Sequence, residues 1–334
     1  MNPEHISVRR QAEIKTELRG ILCRKDDTKI DILWHYTTGD RLIKILMDGE
    51  LWLTQIGSLN DASELKYPRE LYLKALEDLE RGSKPDELTE VTQSLLRGAQ
   101  KRMQRALVDG QGYSSRFVGS LSERGNWLSQ WRGYGGGEGG FSIGFDRTAL
   151  QKALKDNDPD PSDASYTSLS PICYDKKRHA SAVEYAAKMT CELFKCADLR
   201  LIDGFLDLWH DVLGEIAPLI KDPAFDEERE WRLMRLVNYD TCDRLGLAFS
   251  NSQSMLKRHF KLQLKVDGLL PIKQIMVGPA RHQQVSVHSL HALLLHKGYK
   301  VADPRTSAEP GNVQVPTDAD AIILSLSKIP YQST

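Results

Sequence analysis

The chain has no apolar run close to the roughly 20 residues that a helix needs to span a bilayer, which argues against a helical membrane protein. It also lacks an excess of either charge. Lys and Arg number 45 against 46 Asp and Glu, so net charge points to neither nucleic acid nor an anionic membrane, although balanced totals leave room for a local basic groove. The N-terminal stretch is polar, reads as a helix and has no secretory apolar segment. Five cysteines (Cys23, Cys173, Cys191, Cys196 and Cys242) form no CxxC pair and no disulfide framework, which fits reduced thiols used for packing. Metal-ligand spacing is missing too: His288, His291 and His296 lie on an amphipathic helix without acidic partners. No GxSxG elbow occurs, and the glycines at 135–137, 139 and 140 are followed by a strand, unlike a phosphate loop or dinucleotide fingerprint. The expectation is a cytoplasmic protein with no membrane partner and no metal.

What is present is enough for a large core. The 334 residues are 40% hydrophobic and 27% charged, as in an ordinary globular protein. Residues 1–30 read as an N-terminal helical extension and 31–334 as one domain with a helical insertion at about 66–110. Short β-prone stretches recur at 31–36, 51–54, 117–122, 141–145, 166–175, 230–238, 259–266, 272–278 and 321–326. Thr37 and Thr38 are placed to cap a helix that Gly49 ends. Helical periodicity marks the blocks near 66–76, 85–108, 180–221 and 287–294, the third with a stripe from Ile202 to Ile216. Strands scattered among helices without regular βαβ alternation predict an α+β fold around a mixed, mainly antiparallel sheet.

Three segments carry residues suited to chemistry. In WHYTTGDRLIKIL, His35 sits near a strand end just before the capped helix; its plainer role is a hydrogen bond within the turn. In NWLSQWRGYGGGEGG, Trp127, Trp131 and Tyr134 crowd eight residues, either packed under a turn or forming a stacking wall for a planar ligand. In DEEREWRLMR, a strand phase puts Glu228, Glu230, Arg232 and Met234 on one side and Trp231 and Leu233 on the other. Two carboxylates beside an arginine can present an acceptor to a sugar hydroxyl, or form an ordinary ion pair at a strand entrance.

The ordered motifs WHYTTGDRLIKILMDGELWL, SLNDASEL, SLSERGNWLSQWRGYGGGEGGFSIGF, EEREWRL, IKQIMVGP and SKIPY resemble the bacterial domain-of-unknown-function family 2971, over about Leu33 to Tyr331. The succession of His35, Tyr134 and Glu230 is more distantly similar to the ADP-ribosyltransferase superfamily. Ser129, Trp131 and Tyr134 take the places of its Ser-x-Ser-x-x-Tyr, with Trp131 replacing the second serine, and Tyr-Thr follows His35 where a glycine often stands. That resemblance implies a split sheet and NAD as the substrate. It makes Glu230 the carboxylate on the ribose hydroxyl, Glu228 the group polarising the acceptor, Tyr134 the nicotinamide stack and His35 the hydrogen-bond partner of the adenosine ribose. Tyr36, Thr37, Ser129, Trp131, Arg132, Asn60 and Arg232 would border the nucleotide. It also implies a bacterial toxin or antiphage effector with a protein or nucleic acid acceptor. The alternatives are a nucleotide- or RNA-binding module without catalysis, using aromatics beside Arg116, Arg124 and Arg132, and a metal-dependent nuclease built on Glu228, Glu230 and Asp61.

Overall fold

The computed structural model describes residues 3–23, 29–59, 66–82, 97–98, 101, 114–136, 139–157, 167–195, 214, 216–238, 246–252, 255–302 and 320–330. In chain order the main elements are α1 (Pro3–Leu22), β1 (Ile32–Thr37), α2 (Gly39–Asp48), β2 (Glu50–Gln55), α3 (Lys66–Gly82), β3 (Ser114–Ser122), α4 (Leu128–Tyr134), β4 (Phe141–Asp146), α5 (Arg147–Asp156), β5 (Thr167–Pro171), α6 (Lys176–Lys195), β6 (Glu230–Asn238), β7 (Leu247–Ser252), β8 (Met255–Gln263), β9 (Ile272–Val277), α7 (Gln283–His296) and β10 (Ile323–Leu326). They fall into two compact units. One comprises Met1–Asp27, Ile56–Ser115 and Pro171–Glu227; the other comprises Thr28–Gln55, Arg116–Ser170 and Glu228–Thr334.

The first unit is helical, with α1 and α3 both packed on α6. Ile14, Leu18 and Leu22 recur every four residues on α1 and are buried, as are Tyr72, Ala75 and Leu76 on α3. The facing side of α6 is small, with Ala182, Ala186 and Ala187 beside Val183, which lets helices approach closely. His179 near the start of α6 is fully buried and tied on both sides. Its Nε2 lies 2.8 Å from the Cys173 carbonyl and its Nδ1 lies 3.1 Å from the Tyr67 hydroxyl. A carbonyl can only accept, so Nε2 carries the hydrogen and Nδ1 receives the tyrosine.

The second unit is a ten-stranded open sheet of order β10-β9-β4-β1-β3-β2-β8-β7, with β6 also joined to β3 and β5 to β6. The β9–β10 pair is parallel, whereas β1–β3, β1–β4, β2–β3, β2–β8, β4–β9 and β7–β8 are antiparallel. The class is therefore α+β with a mixed sheet, as the scattered strands imply. One side is lined by alternating apolar residues, among them Leu51 and Leu53, Phe117 and Leu121, Ile143 and Phe145, Trp231 and Leu233, and Phe260 and Leu262. Leu42, Ile45 and Leu46 of α2 and Leu290 and Leu294 of α7 join the same core. Each such side chain contributes about 1.5–3 kcal/mol when fully buried.

Several boundaries follow the sequence closely: β6 spans Glu230–Asn238, and Gly49 closes α2 with φ 74° while its N–H returns to the Ile45 carbonyl. Thr38 is the N-cap of α2, but its side chain makes no capping hydrogen bond. Strand β8 begins at Met255 and ends at Gln263, whereas alternation predicts 259–266; the chain leaves the sheet for a tight turn in which Asp267 and Gly268 both have positive φ. Strand β7 has no clean alternation and forms because it hairpins onto β8. The loop at 158–165, most of the block at 85–108, and the stripe from Ile202 to Leu213 lie outside the described residues.

Candidate functional site

Strand β3 has two antiparallel neighbours at different points of its length. It meets β2 at Val118–Thr54 and Phe117–Gln55, and it meets β1 at Ser122–Trp34. Between those points lies Ser120, an exposed residue on a strand that is otherwise mostly buried. Continuing the β2–β3 register would set Ser120 opposite Trp52, yet the strands have parted there. The alternation of β3 puts Ser120 and Ser122 on the side away from the apolar core, where Val118 also points.

Ser120 joins the two residues that sequence reasoning singles out on different strands. Its carbonyl lies 3.1 Å from His35 Nδ1, and its hydroxyl donates to Glu230 Oε1 at 2.7 Å. Glu230 is 3% exposed and is clamped by its neighbour on the same side of β6: Arg232 Nε donates to Oε1 at 2.7 Å and Nη2 to Oε2 at 3.2 Å. Arg232 is itself 1% exposed, so this is a two-pronged buried ion pair with little freedom to turn. Oε1 accepts from both the Ser120 hydroxyl and Arg232 Nε, which fixes the plane of the carboxylate.

His35 is held neutral. Burial pushes its pKa below the usual value of a histidine, the Ser120 carbonyl opposes that, and the positive charge of Arg41 adds to the lowering. Because the carbonyl can only accept, Nδ1 carries the hydrogen, and Nε2 is left as the acceptor of the neutral ring. A sugar hydroxyl is the kind of donor that such a nitrogen receives.

The other side of β1 is aromatic and dry. Trp34, Tyr36 and Trp131 form a cluster in which the Tyr36 and Trp131 rings meet edge to face with centroids 4.7 Å apart. The Tyr36 hydroxyl donates to the Arg124 carbonyl at 2.6 Å and accepts from Trp127 N–H at 3.0 Å, and burial raises its pKa. Asn126 Oδ1 accepts from Trp131 Nε1 at 2.9 Å and from the Ser327 hydroxyl at 2.7 Å, which ties α4 to the end of the chain. Of the two fates open to Trp131, the structure shows packing: at 3% exposure its ring offers no stacking wall.

The glycine-rich turn serves that packing. A Cβ on Gly135 would stand 2.2 Å from the Gly139 carbonyl, one on Gly140 would stand 2.6 Å from the Gly135 Cα, and one on Gly278 would stand 2.9 Å from the Trp131 ring. The backbones of the turn approach each other and Trp131.

The strand phase of Glu228 requires correction. Pro223–Glu228 is a 3-10 helix, and Arg229 takes a left-handed φ of 45°, so Glu228 is not on one strand side with Glu230 and Arg232. The kink is pinned at its carbonyls: Ser122 Oγ donates to the Glu228 carbonyl at 2.7 Å and Glu123 N–H to that of Arg229 at 3.1 Å. Met234, also placed on that side, is buried.

The remaining candidates are dispersed. Tyr134 stands at the end of α4, 45% exposed, next to exposed Arg132. Arg124 lies over the Trp127 ring at 3.9 Å. Thr37 is buried, and its hydroxyl and that of Ser129 have no hydrogen-bond partner among the described residues. Asn60 and Asp61 lie outside the described residues. The residue that sequence reasoning passed over is Ser120; its signal was a pair of small hydroxyl residues, Ser120 and Ser122, on one side of an apolar strand.

Residues 130–233 match the model of a family described as protein of unknown function (DUF2971), a narrower stretch than the one spanned by the motifs quoted above. Trp131, Tyr134, Glu230 and Arg232 lie within it, and His35 and Ser120 lie before it. No curated protein and no solved structure matches the chain.

Proposed function

We propose that the chain takes NAD where β3 leaves β2 for β1, breaks the bond between ribose and nicotinamide, and passes the ADP-ribose to an acceptor. The observation that carries this reading is Ser120, which holds neutral His35 by its carbonyl and buried Glu230 by its hydroxyl. In such a reaction the acceptor's nucleophilic atom forms a bond to the ribose C1 as the C1–N bond breaks. Nicotinamide leaves as the neutral base, and the acceptor gives up its proton. Positive charge spreads over the sugar on the way, and a fixed carboxylate on a ribose hydroxyl gains strength as that charge grows. Glu230 supplies this carboxylate by exchanging the Ser120 hydroxyl for that of the ribose. Arg232 keeps its orientation, and His35 Nε2 accepts from the second ribose. Glu228, at the 3-10 turn beside this strand, assists the acceptor, and Tyr134, Arg132 and Ser129 on α4 border the nicotinamide end.

The test is nicotinamide release from labelled NAD by wild type and by Glu230→Gln. A loss of about a hundredfold or more in the variant is expected, compared at a temperature at which both proteins are folded. Wild-type protein that neither binds NAD nor releases nicotinamide, with cell lysate supplying acceptors, sinks the reading. A toxin or antiphage role adds a second expectation: induced expression in a bacterial host arrests growth, and Glu230→Gln relieves it.

One observation favours a nucleotide-binding module without catalysis: Glu230 is 3% exposed and already receives at least three hydrogen bonds. In that case wild type binds the nucleotide, releases no nicotinamide, and tolerates Glu230→Gln.

A further inference from the structure

Away from the apolar core, β2, β8 and β7 present a second surface. Trp52 and Lys261 are paired across β2 and β8, as are Thr54 and His259, while Ser250 of β7 pairs with Lys257. His259 is pinned between two hydroxyls, Thr54 Oγ1 at 3.2 Å from Nδ1 and Ser250 Oγ at 2.7 Å from Nε2, and its ring lies 5.5 Å from that of Trp52. Lys44, from exposed positions of α2, sets its ammonium 4.1 Å from the centre of the Trp52 ring, and Lys261 stands 5.8 Å away. The outward positions of these strands contribute Lys257, Lys261 and one carboxylate, Glu50, which Lys261 approaches at 4.0 Å. Helix α2 adds Arg41 and Lys44 to this edge. Beside burial, the charges of Arg41 and Lys257 hold the His259 pKa down. Arg41 does the same to His35.

We propose that this surface is a platform for single-stranded nucleic acid, with a base stacked on Trp52 and the flanking phosphates held by Arg41, Lys44 and Lys261. A π-face that now carries an ammonium is open to a planar base. The long side chain of Lys44 can then swing to the phosphate, since single strands are held by this pairing of stacking and cations. A duplex hides its base faces and gains only the phosphate contacts. The position gives the strand a role. Trp52 lies across the parting strands from Ser120, so a strand laid here reaches the proposed NAD site and is its acceptor. That last step rests on the NAD reading; binding of the strand does not.

The experiment uses the full chain, without NAD, and a fluorescein-labelled single-stranded RNA of about 12 nucleotides followed by anisotropy. Saturable binding at about 0.1 M salt is expected, with a matched duplex competing poorly. Trp52→Ala weakens binding about tenfold or more, and Trp52→Phe restores most of it. Lys44→Ala and Lys261→Ala each lower the slope of log affinity against log salt by about 0.7. Should Trp52→Ala fail to fold, the surface double variant Lys44→Glu and Lys261→Glu carries the same test, with binding lost. The proposal is overturned by no saturable binding, by affinity unchanged in these variants, or by capture on phosphatidylserine vesicles without binding to the oligonucleotide. If the oligonucleotide binds and NAD is never cleaved, the platform stands and the transferase reading falls.

Discussion

His179 in the helical unit and His35 in the sheet unit obey the same physics and end in different conditions. Burial lowers the pKa of both, and both give a ring hydrogen to a main-chain carbonyl, Cys173 for one and Ser120 for the other. The second nitrogen separates them. His179 Nδ1 receives the Tyr67 hydroxyl, which completes the ring, whereas among the described residues only Nδ1 of His35 has a hydrogen-bond partner, the carbonyl of the Ser120 whose hydroxyl holds Glu230. Burial with both nitrogens satisfied is a structural device; burial with an acceptor kept available is what a ligand site requires.

The largest expected effect comes from Arg232→Met, which leaves Glu230 buried opposite an apolar side chain. Stability measured by urea unfolding should fall by about 3–5 kcal/mol, the usual cost of stranding one buried charge. A fall under about 1 kcal/mol would mean that Glu230 is far less confined than its burial indicates. Next, His179→Ala strips the partner from the Tyr67 hydroxyl and should cost about 1–3 kcal/mol in the same assay. His35→Ala should cost less stability than His179→Ala while weakening NAD binding in calorimetry by tenfold or more. The contrast between the two histidines collapses if those two outcomes are exchanged.

Acid should sharpen the comparison. The folded pKa of His35, His179 and His259 each lie below the unfolded value of about 6.5, so between these values the unfolded chain binds more protons. Their contribution is fully present above about pH 6.5 and shrinks as pH falls toward the folded pKa. Melting temperature should therefore drop between about pH 7 and pH 5, with a shallower drop in His179→Gln. The smallest effect is assigned to Tyr134→Ala, whose exposed ring should change stability by no more than about 0.5 kcal/mol. Any loss of nicotinamide release in that variant then reports on ligand contact alone.

The sequence made the strands and helices of the sheet unit legible because their alternation is strong: Leu51 and Leu53, or Ile143 and Phe145, announce a buried side. The sharing of Ser120 by His35 and Glu230 was not legible, since it depends on where β3 leaves β2 for β1, and no local pattern encodes such a switch. Glu228 misled for a related reason. Alternation assumes extended backbone, and the left-handed Arg229 breaks the phase just before β6 begins. Trp131 and the glycines around it could be read either as ligand wall or as packing, and only the close backbone approaches within the turn decide for packing.

The strand order has a consequence for how the protein is made. β1 lies between β3 and β4, and β4 in turn pairs with β9, which ends at Val277. During synthesis β4 therefore emerges with one edge open and stays so until some 130 further residues have left the ribosome. An exposed edge of that kind invites pairing with other nascent chains. The aromatic cluster beside it waits longer still, for Ser327 to reach Asn126. Folding of this unit thus waits for β9 and Ser327, and its yield should depend on protection of the open edge by chaperones more than on the speed of translation through its first half.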